Sequence, residues 1–298
     1  MALMYGNVQA GETMDNKVVE AGLVSDTIFL PGVTFNPNTI EKNGVRYAVK
    51  DVDETIVAPS AAGANNYSFS NADEALVQIV CNNELLPSTR IYSTQIESVP
   101  YDQRVYQFEN LIKGKLNPSI EAETLACLLN EGTVLTTGTP AATDTTAITT
   151  ANVKDYLINL RTKLRKAKVK ANGLVLLASP EIFGTIIKTV GADFDSSVKN
   201  EIAYTGNIGR WLGFLIVEAN LIGETALKYV DYSGTLRTVD SSKVDFVVYQ
   251  WETLYRDTLI SKVAMQDATT FNGVEVVSDV VNGVRVGTAS KVFIKKNA

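Results

Sequence analysis

Few residues in this 298-residue chain could do chemistry, and their spacing argues against most of it. Asp51, Asp53 and Glu54 form one carboxylate set, and Asp193 with Asp195 another; such sets can hold a hard cation. In acidic loops these groups are ordinarily solvated, and no metal site is assigned to them. Gly206 and Gly209 have the spacing of a phosphate-cradling turn, but they lead into an apolar strand rather than a helix. The Gly114-Lys115 pair has Glu109 where a phosphate loop requires glycine. Arg161, Lys163, Arg165, Lys166, Lys168 and Lys170 crowd ten residues. They read either as a solvated helix end complementing the helix dipole or as a patch facing a partner's carboxylates or nucleic-acid phosphates.

The chain has no histidine. That removes the commonest general base and metal ligand, and with them any Ser-His-Asp or Cys-His arrangement. Cys81 and Cys127 read as buried small hydrophobes in a reducing compartment. Trp211 and Trp251 are either interface anchors or core residues. No catalytic residue, cofactor or metal is therefore expected.

A hydrophobic fraction of 45% and a charged fraction of 20% are ordinary for a folded protein with a sizeable core. The net charge of −6 argues against a dedicated nucleic-acid binder, and is mild enough for like subunits to pack. Met1-Ala-Leu-Met-Tyr5 lacks a basic signal-peptide start, and no apolar run is long enough to span a bilayer. The chain is expected to be made in the cytoplasm, with no membrane partner.

The elements alternate in character. Residues 1–40 are rich in breakers and read as an extended arm. Val45–Lys50 and Ile91–Ile96 read as strands; Asn71–Val80 fits a helix or a strand. Val105, Phe108, Leu111, Ile112 and Leu116 mark a helix over about 101–130, with a kink or break at Asn117-Pro118 and a stop at Gly132. Thr133–Thr150 reads as a linker. Asn152 opens a helix whose apolar stripe is Val153, Leu157, Leu160 and Leu164. Leu174–Ala178 and Phe214–Val217 lack polar alternation, so both faces of each should be buried. Ser179-Pro180 opens, and Gly191 closes, a helix between them. Asp245–Tyr249 is a third core strand. Val276–Val281 and Val284–Val286 flank Asn282-Gly283, a two-residue hairpin signal, and Lys291–Lys295 is the last strand.

Gly206-Asn-Ile-Gly-Arg-Trp-Leu-Gly213-Phe-Leu-Ile-Val-Glu-Ala-Asn220, with the strand and capped helix from Leu174 to Glu181, resembles the core of tailed-bacteriophage major capsid proteins, the Hong Kong 97-type fold. The resemblance implies an α+β architecture with an N-terminal arm (1–40) and an extended β-hairpin loop (41–99). It also implies a peripheral domain with a long spine helix (100–136 and 263–298), and an axial domain with a central sheet flanked by helices (137–262). It makes Arg104, Phe108, Gly206, Gly209, Trp211, Gly213 and Asn220 the suspected intersubunit or structural positions. The function it implies is self-assembly, as hexamers and pentamers, into an icosahedral head shell enclosing double-stranded DNA. The shell would form in the host cytoplasm and end in the virion. Scaffolding, portal and cement proteins would be partners, and packaged DNA a weak, non-specific one. The alternatives are an encapsulin-type compartment shell, a tail or adaptor protein of the same virion, and a soluble α/β enzyme.

Overall fold

The computed structural model describes residues 32–34, 44–49, 76–86, 88–92, 101–138, 141–193, 208–267, 269–270 and 273–297. Most of the expected arm, the loop Pro59–Asn66, Gly206 and the carboxylates Asp51, Asp53, Glu54 and Asp195 lie outside the described residues.

The first elements are β1 (Val33–Thr34), β2 (Val45–Val49), β3 (Leu76–Val80), β4 (Asn83–Leu85), β5 (Ser88–Tyr92) and the 31-residue helix α1 (Tyr101–Glu131). Short strands β6 (Thr133–Val134), β7 (Thr136–Thr137) and β8 (Ala142–Thr143) lead to α2 (Val153–Lys166), β9 (Leu174–Ala178) and α3 (Pro180–Asp193). Then come β10 (Arg210–Trp211), β11 (Phe214–Glu218), β12 (Leu227–Val230), β13 (Leu236–Val239) and β14 (Val244–Gln250). Two 14-residue strands follow, β15 (Leu254–Asp267) and β16 (Gly273–Val286), and then β17 (Val292–Lys296).

A six-stranded sheet in the order β10-β11-β9-β14-β17-β6 is the centre of the molecule. Every residue of β9 and β14 is buried; the unbroken apolar run of β9 requires it, and β14 also buries Asp245 and Gln250 at the ends of its apolar stretch. Successive side chains of a strand point to opposite faces, and two separate cores result. Leu174, Leu176, Phe214, Ile216, Phe246 and Val248 pack with Leu157, Leu160 and Leu164 of α2 and with Phe183, Ile186 and Val190 of α3. Val175, Leu177, Val247 and Tyr249 pack with Leu125 and Leu128 of α1 and with Leu227 and Tyr229. Each fully buried aliphatic side chain contributes about 1.5–3 kcal/mol, so these two layers dominate stability. In β11, Phe214 and Ile216 are fully covered but Leu215 and Val217 only partly, so its second face is less enclosed than its composition predicts.

The second sheet runs β1-β15-β16-β4, with β5 also paired to β16. The β2–β3 ribbon lays Ala48, Val77 and Ile79 on Tyr255 of β15. Its other side leaves Val45, Tyr47 and Leu76 exposed.

Several sequence expectations need correction. Helix α1 passes through Pro118 without a break. Pro118 is on an exposed position, so the carbonyl it leaves without a donor can be served by water. Gly191 lies inside α3, which continues to Asp193. Asn152 precedes α2 but does not cap it with its side chain, which instead accepts from Thr149 N–H at 2.8 Å and donates to the Ala147 carbonyl at 2.8 Å. The Thr133–Thr150 segment is not a free linker throughout: β6 pairs in parallel with β17, and Leu135 is buried. Asn282-Gly283 makes no hairpin. It sits within the continuous strand β16, opposite Thr258 and Asp257 of β15.

Candidate functional site

The glycine-punctuated segment closes as a tight turn. Trp211 of β10 pairs with Phe214 of β11, leaving Leu212 (φ 52°) and Gly213 (φ 90°) as its two corner residues. Left-handed backbone at both corners is the two-residue hairpin geometry that follows strand twist. The Gly209 carbonyl, at φ 66°, accepts from Ile216 N–H at 3.0 Å. A Cβ on Gly213 would stand 3.0 Å from Cζ of Arg161, so the turn is pressed under the guanidinium of α2.

The suspected positions therefore divide. Gly209, Trp211 and Gly213 belong to one turn, with Trp211 buried in the α2–α3 core. Asn220 is exposed just beyond β11. Arg104 and Phe108 lie on the N-terminal half of α1, away in sequence from that turn. Trp251, by contrast with Trp211, is 40% exposed.

The ionisable groups that do cluster are structural. Lys295 of β17 is fully buried, and its Nζ donates to the carbonyls of Asp144 (2.9 Å) and Lys296 (2.8 Å). It lies 3.7 Å from the Asp144 carboxylate and 3.8 Å from that of Asp245. Burial raises the Asp245 carboxyl, an effect that Lys295 partly offsets. Burial would also raise Asp144, but hydrogen bonds from Tyr156 and Thr146, with Lys295 nearby, hold it below the usual carboxylate range. The Tyr156 hydroxyl donates to Asp144 at 2.6 Å, and burial with that bond pushes its own pKa up.

A second set stitches α1 to β16. Asn282 Nδ2 donates to Glu123 Oε2 at 2.7 Å, and burial pushes the Glu123 carboxyl up to about 7 despite hydrogen bonds from Asn282 and Asn83. Eight residues on, Glu131 accepts from Val286 N–H at 3.0 Å and from Arg285 at 3.1 Å, while the Arg285 guanidinium lies 3.9 Å over the Tyr232 ring. A third set is a loop: Asp231 Oδ1 accepts from Ser233 N–H, Ser233 Oγ and Thr235 N–H, and its Oδ2 pairs with Arg237 at 2.8 Å. The Ser233 hydroxyl above all holds Asp231 well below the usual carboxylate range.

These networks were not visible in the sequence. Lys295 belongs to the expected last strand, but its acidic partners Asp144 and Asp245 lie far upstream. Both cysteines are buried and neither is in a disulfide, as expected. Among the described residues, no group of three or more His, Cys, Asp or Glu side chains is placed to hold a metal ion. No helix there is long and apolar enough to cross a membrane.

A two-faced central sheet, a 31-residue helix packed on one face of it and a long two-stranded ribbon make up the architecture. Solved structures share it from end to end. A chain of the satellite phage P4 procapsid that includes the size determination (Sid) protein matches with a TM-score of 0.61 at 10% identity, covering 99% of this chain and 94% of that one. The capsid of an empty GTA particle matches with a TM-score of 0.56 at 13% identity, over 99% and 96%. The capsid of cyanophage P-SCSP1u matches with a TM-score of 0.54 at 11% identity, over 98% and 90%. No family model and no curated protein matches the sequence. The chain has the fold of tailed-phage capsid proteins, the Hong Kong 97-type fold that the Gly206–Asn220 segment suggested.

Proposed function

We propose that this chain is a major capsid protein that assembles, as hexamers and pentamers, into the icosahedral head shell of a tailed bacteriophage around double-stranded DNA. The observation that carries the reading is the reciprocal coverage: the phage P4 and GTA structures match nearly the whole of both chains. The exposed outer side of the β2–β3 ribbon, with Val45, Tyr47 and Leu76, suits a chain that is covered by copies of itself. Such contacts bury thousands of Å² per subunit, of the order found in obligate assemblies. The role is structural rather than enzymatic, and its place is the virion.

The division into arm (1–40), hairpin loop (41–99), peripheral (100–136, 263–298) and axial (137–262) regions belongs to the same proposal. So do intersubunit or structural roles for Arg104, Phe108, Gly206 and Asn220, and scaffolding, portal and cement partners. Electron microscopy and sedimentation of the expressed protein test it. Closed particles of megadalton mass are expected. A monodisperse 32.3 kDa species over a wide concentration range would sink the reading. Particles purified from their native source that never contain DNA would favour a compartment shell instead.

A further inference from the structure

Among the described residues, two that are not glycine have left-handed backbone, Leu212 and Lys168. That conformation presses Cβ against the following carbonyl, and glycine is its usual occupant. For Leu212 the reason is visible, since its side chain packs against the Trp211–Phe214 core. Lys168, at φ 61°, has no such reason. It ends α2, with its N–H on the Arg165 carbonyl at 3.0 Å and the next N–H, of Val169, on the Leu164 carbonyl at 3.1 Å. Glycine is the preferred residue in this helix-ending arrangement. The Lys168 side chain is exposed, and no carboxylate among the described residues pairs with it.

Its surroundings are charged in one sense. Residues 153–170 carry seven cations and one acid, a local +6 in a chain whose total is −6. Some of these cations are committed locally: Lys163 donates to the Thr136 carbonyl, Arg165 to the Val169 carbonyl, and Lys170 pairs with Glu252 at 2.7 Å. Arg161, Lys166 and Lys168 are exposed and have no carboxylate partner among the described residues. The helix dipole accounts for cations in the last turn of α2. It does not account for a lysine where glycine would close the same turn without strain.

We propose that the C-terminal end of α2 and the residues just after it, with Arg161, Lys166 and Lys168 as the cations that have no carboxylate partner among the described residues, form a docking surface for the phosphate backbone of duplex DNA. Charge density favours DNA over an acidic protein face. Arg161 to Lys166, the last six residues of α2, carry four cations over about 9 Å at helical rise, a length over which a duplex carries about five phosphates, and Lys168 follows directly. With this reach the contact is non-specific. The inference deepens the reading of the chain as a shell around DNA and depends on it.

The test uses full-length protein in its soluble, unclosed form and a short fluorescent duplex of mixed sequence, with anisotropy measured between about 50 and 200 mM salt. Wild type is expected to bind with a steep salt dependence. The triple variant R161Q/K166Q/K168Q should lose about three units of the log–log salt slope. K168G alone should lose about one unit of slope while its thermal midpoint stays at or above that of wild type. The last result separates a binding role from a structural one, because glycine relieves the backbone. An unchanged slope in the triple variant, or no salt-dependent binding by wild type, overturns the proposal. A triple variant that binds DNA normally but no longer closes particles also overturns it, and assigns the surface to contacts between copies. Absence of particles from wild type would count against the shell reading itself, while the slopes still report on this surface.

Discussion

Asn282 and Glu123 are joined across 159 residues by a 2.7 Å hydrogen bond that fixes α1 against β16. The second tie, Glu131 to Val286 N–H, comes eight residues later on the helix and four later on the strand. Eight residues of helix rise about 12 Å and four of strand about 13 Å. The two elements therefore run side by side in matched register, and the carboxylates act as two pins along one seam.

The first prediction concerns the pH dependence of that seam. Glu123 titrates near 7 when folded, against 4.5 for a free glutamate, because burial disfavours its charge. The unfolded chain releases this proton first, so between these values stability falls as pH rises. The penalty is absent below about pH 4.5 and complete above about pH 7, on the order of 3 kcal/mol. Glu123→Gln should remove it. Urea unfolding of wild type and variant at pH 5 and pH 8 should show the variant gaining on wild type at the higher pH. A constant difference would contradict this.

The second concerns Gly283, next to the pinned Asn282. A Cβ there would stand 2.6 Å from the carbonyl oxygen of Val80, and that obstacle is backbone. Gly283→Ala should cost about 1–3 kcal/mol, as overpacking does, measured by denaturant unfolding. A neutral outcome would mean that β3 can move away from β16.

The third concerns the buried cation. Lys295→Met deletes the charge facing Asp245 and Asp144 inside the sheet edge. Removing one partner of a buried pair is expected to cost about 3–5 kcal/mol. Adding Asp245→Asn to Lys295→Met should recover part of the loss, which a simple packing defect would not show.

The fourth concerns assembly. Deleting residues 1–40 should leave the central sheet folded, by circular dichroism and thermal melting, and should block closed particles in electron micrographs. Normal shells from the truncated chain would remove the proposed role of the arm.

The core was legible where burial alone decides the pattern. β9, β14 and the Val153–Leu164 stripe were read correctly because a fully buried strand and an amphipathic helix leave unmistakable periodicities. Asn282-Gly283 was misread for the opposite reason. Its local turn preference is real, but a buried carboxylate needing a donor and a neighbouring backbone needing room both act from distant sequence. Pro118 was misread because it sits on the solvent side of a long helix, where the missing donor matters least. The suspected site was partly legible. Its turn glycines are local chemistry, whereas the Lys295 and Glu123 networks are made of residues whose meaning appears only when the chain has folded.

The strand β14 leads into β15 through Trp251–Thr253, and β16 returns into β17 through Ala289–Lys291. Gly287 and Thr288 bind Thr253 where these two paths cross. The ribbon is thus a prolongation of two adjacent beams of the central sheet rather than an appendage hung from it. In the proposed shell, a load applied at the ribbon's tip would reach the central sheet through these two short connections, Trp251–Thr253 and Ala289–Lys291.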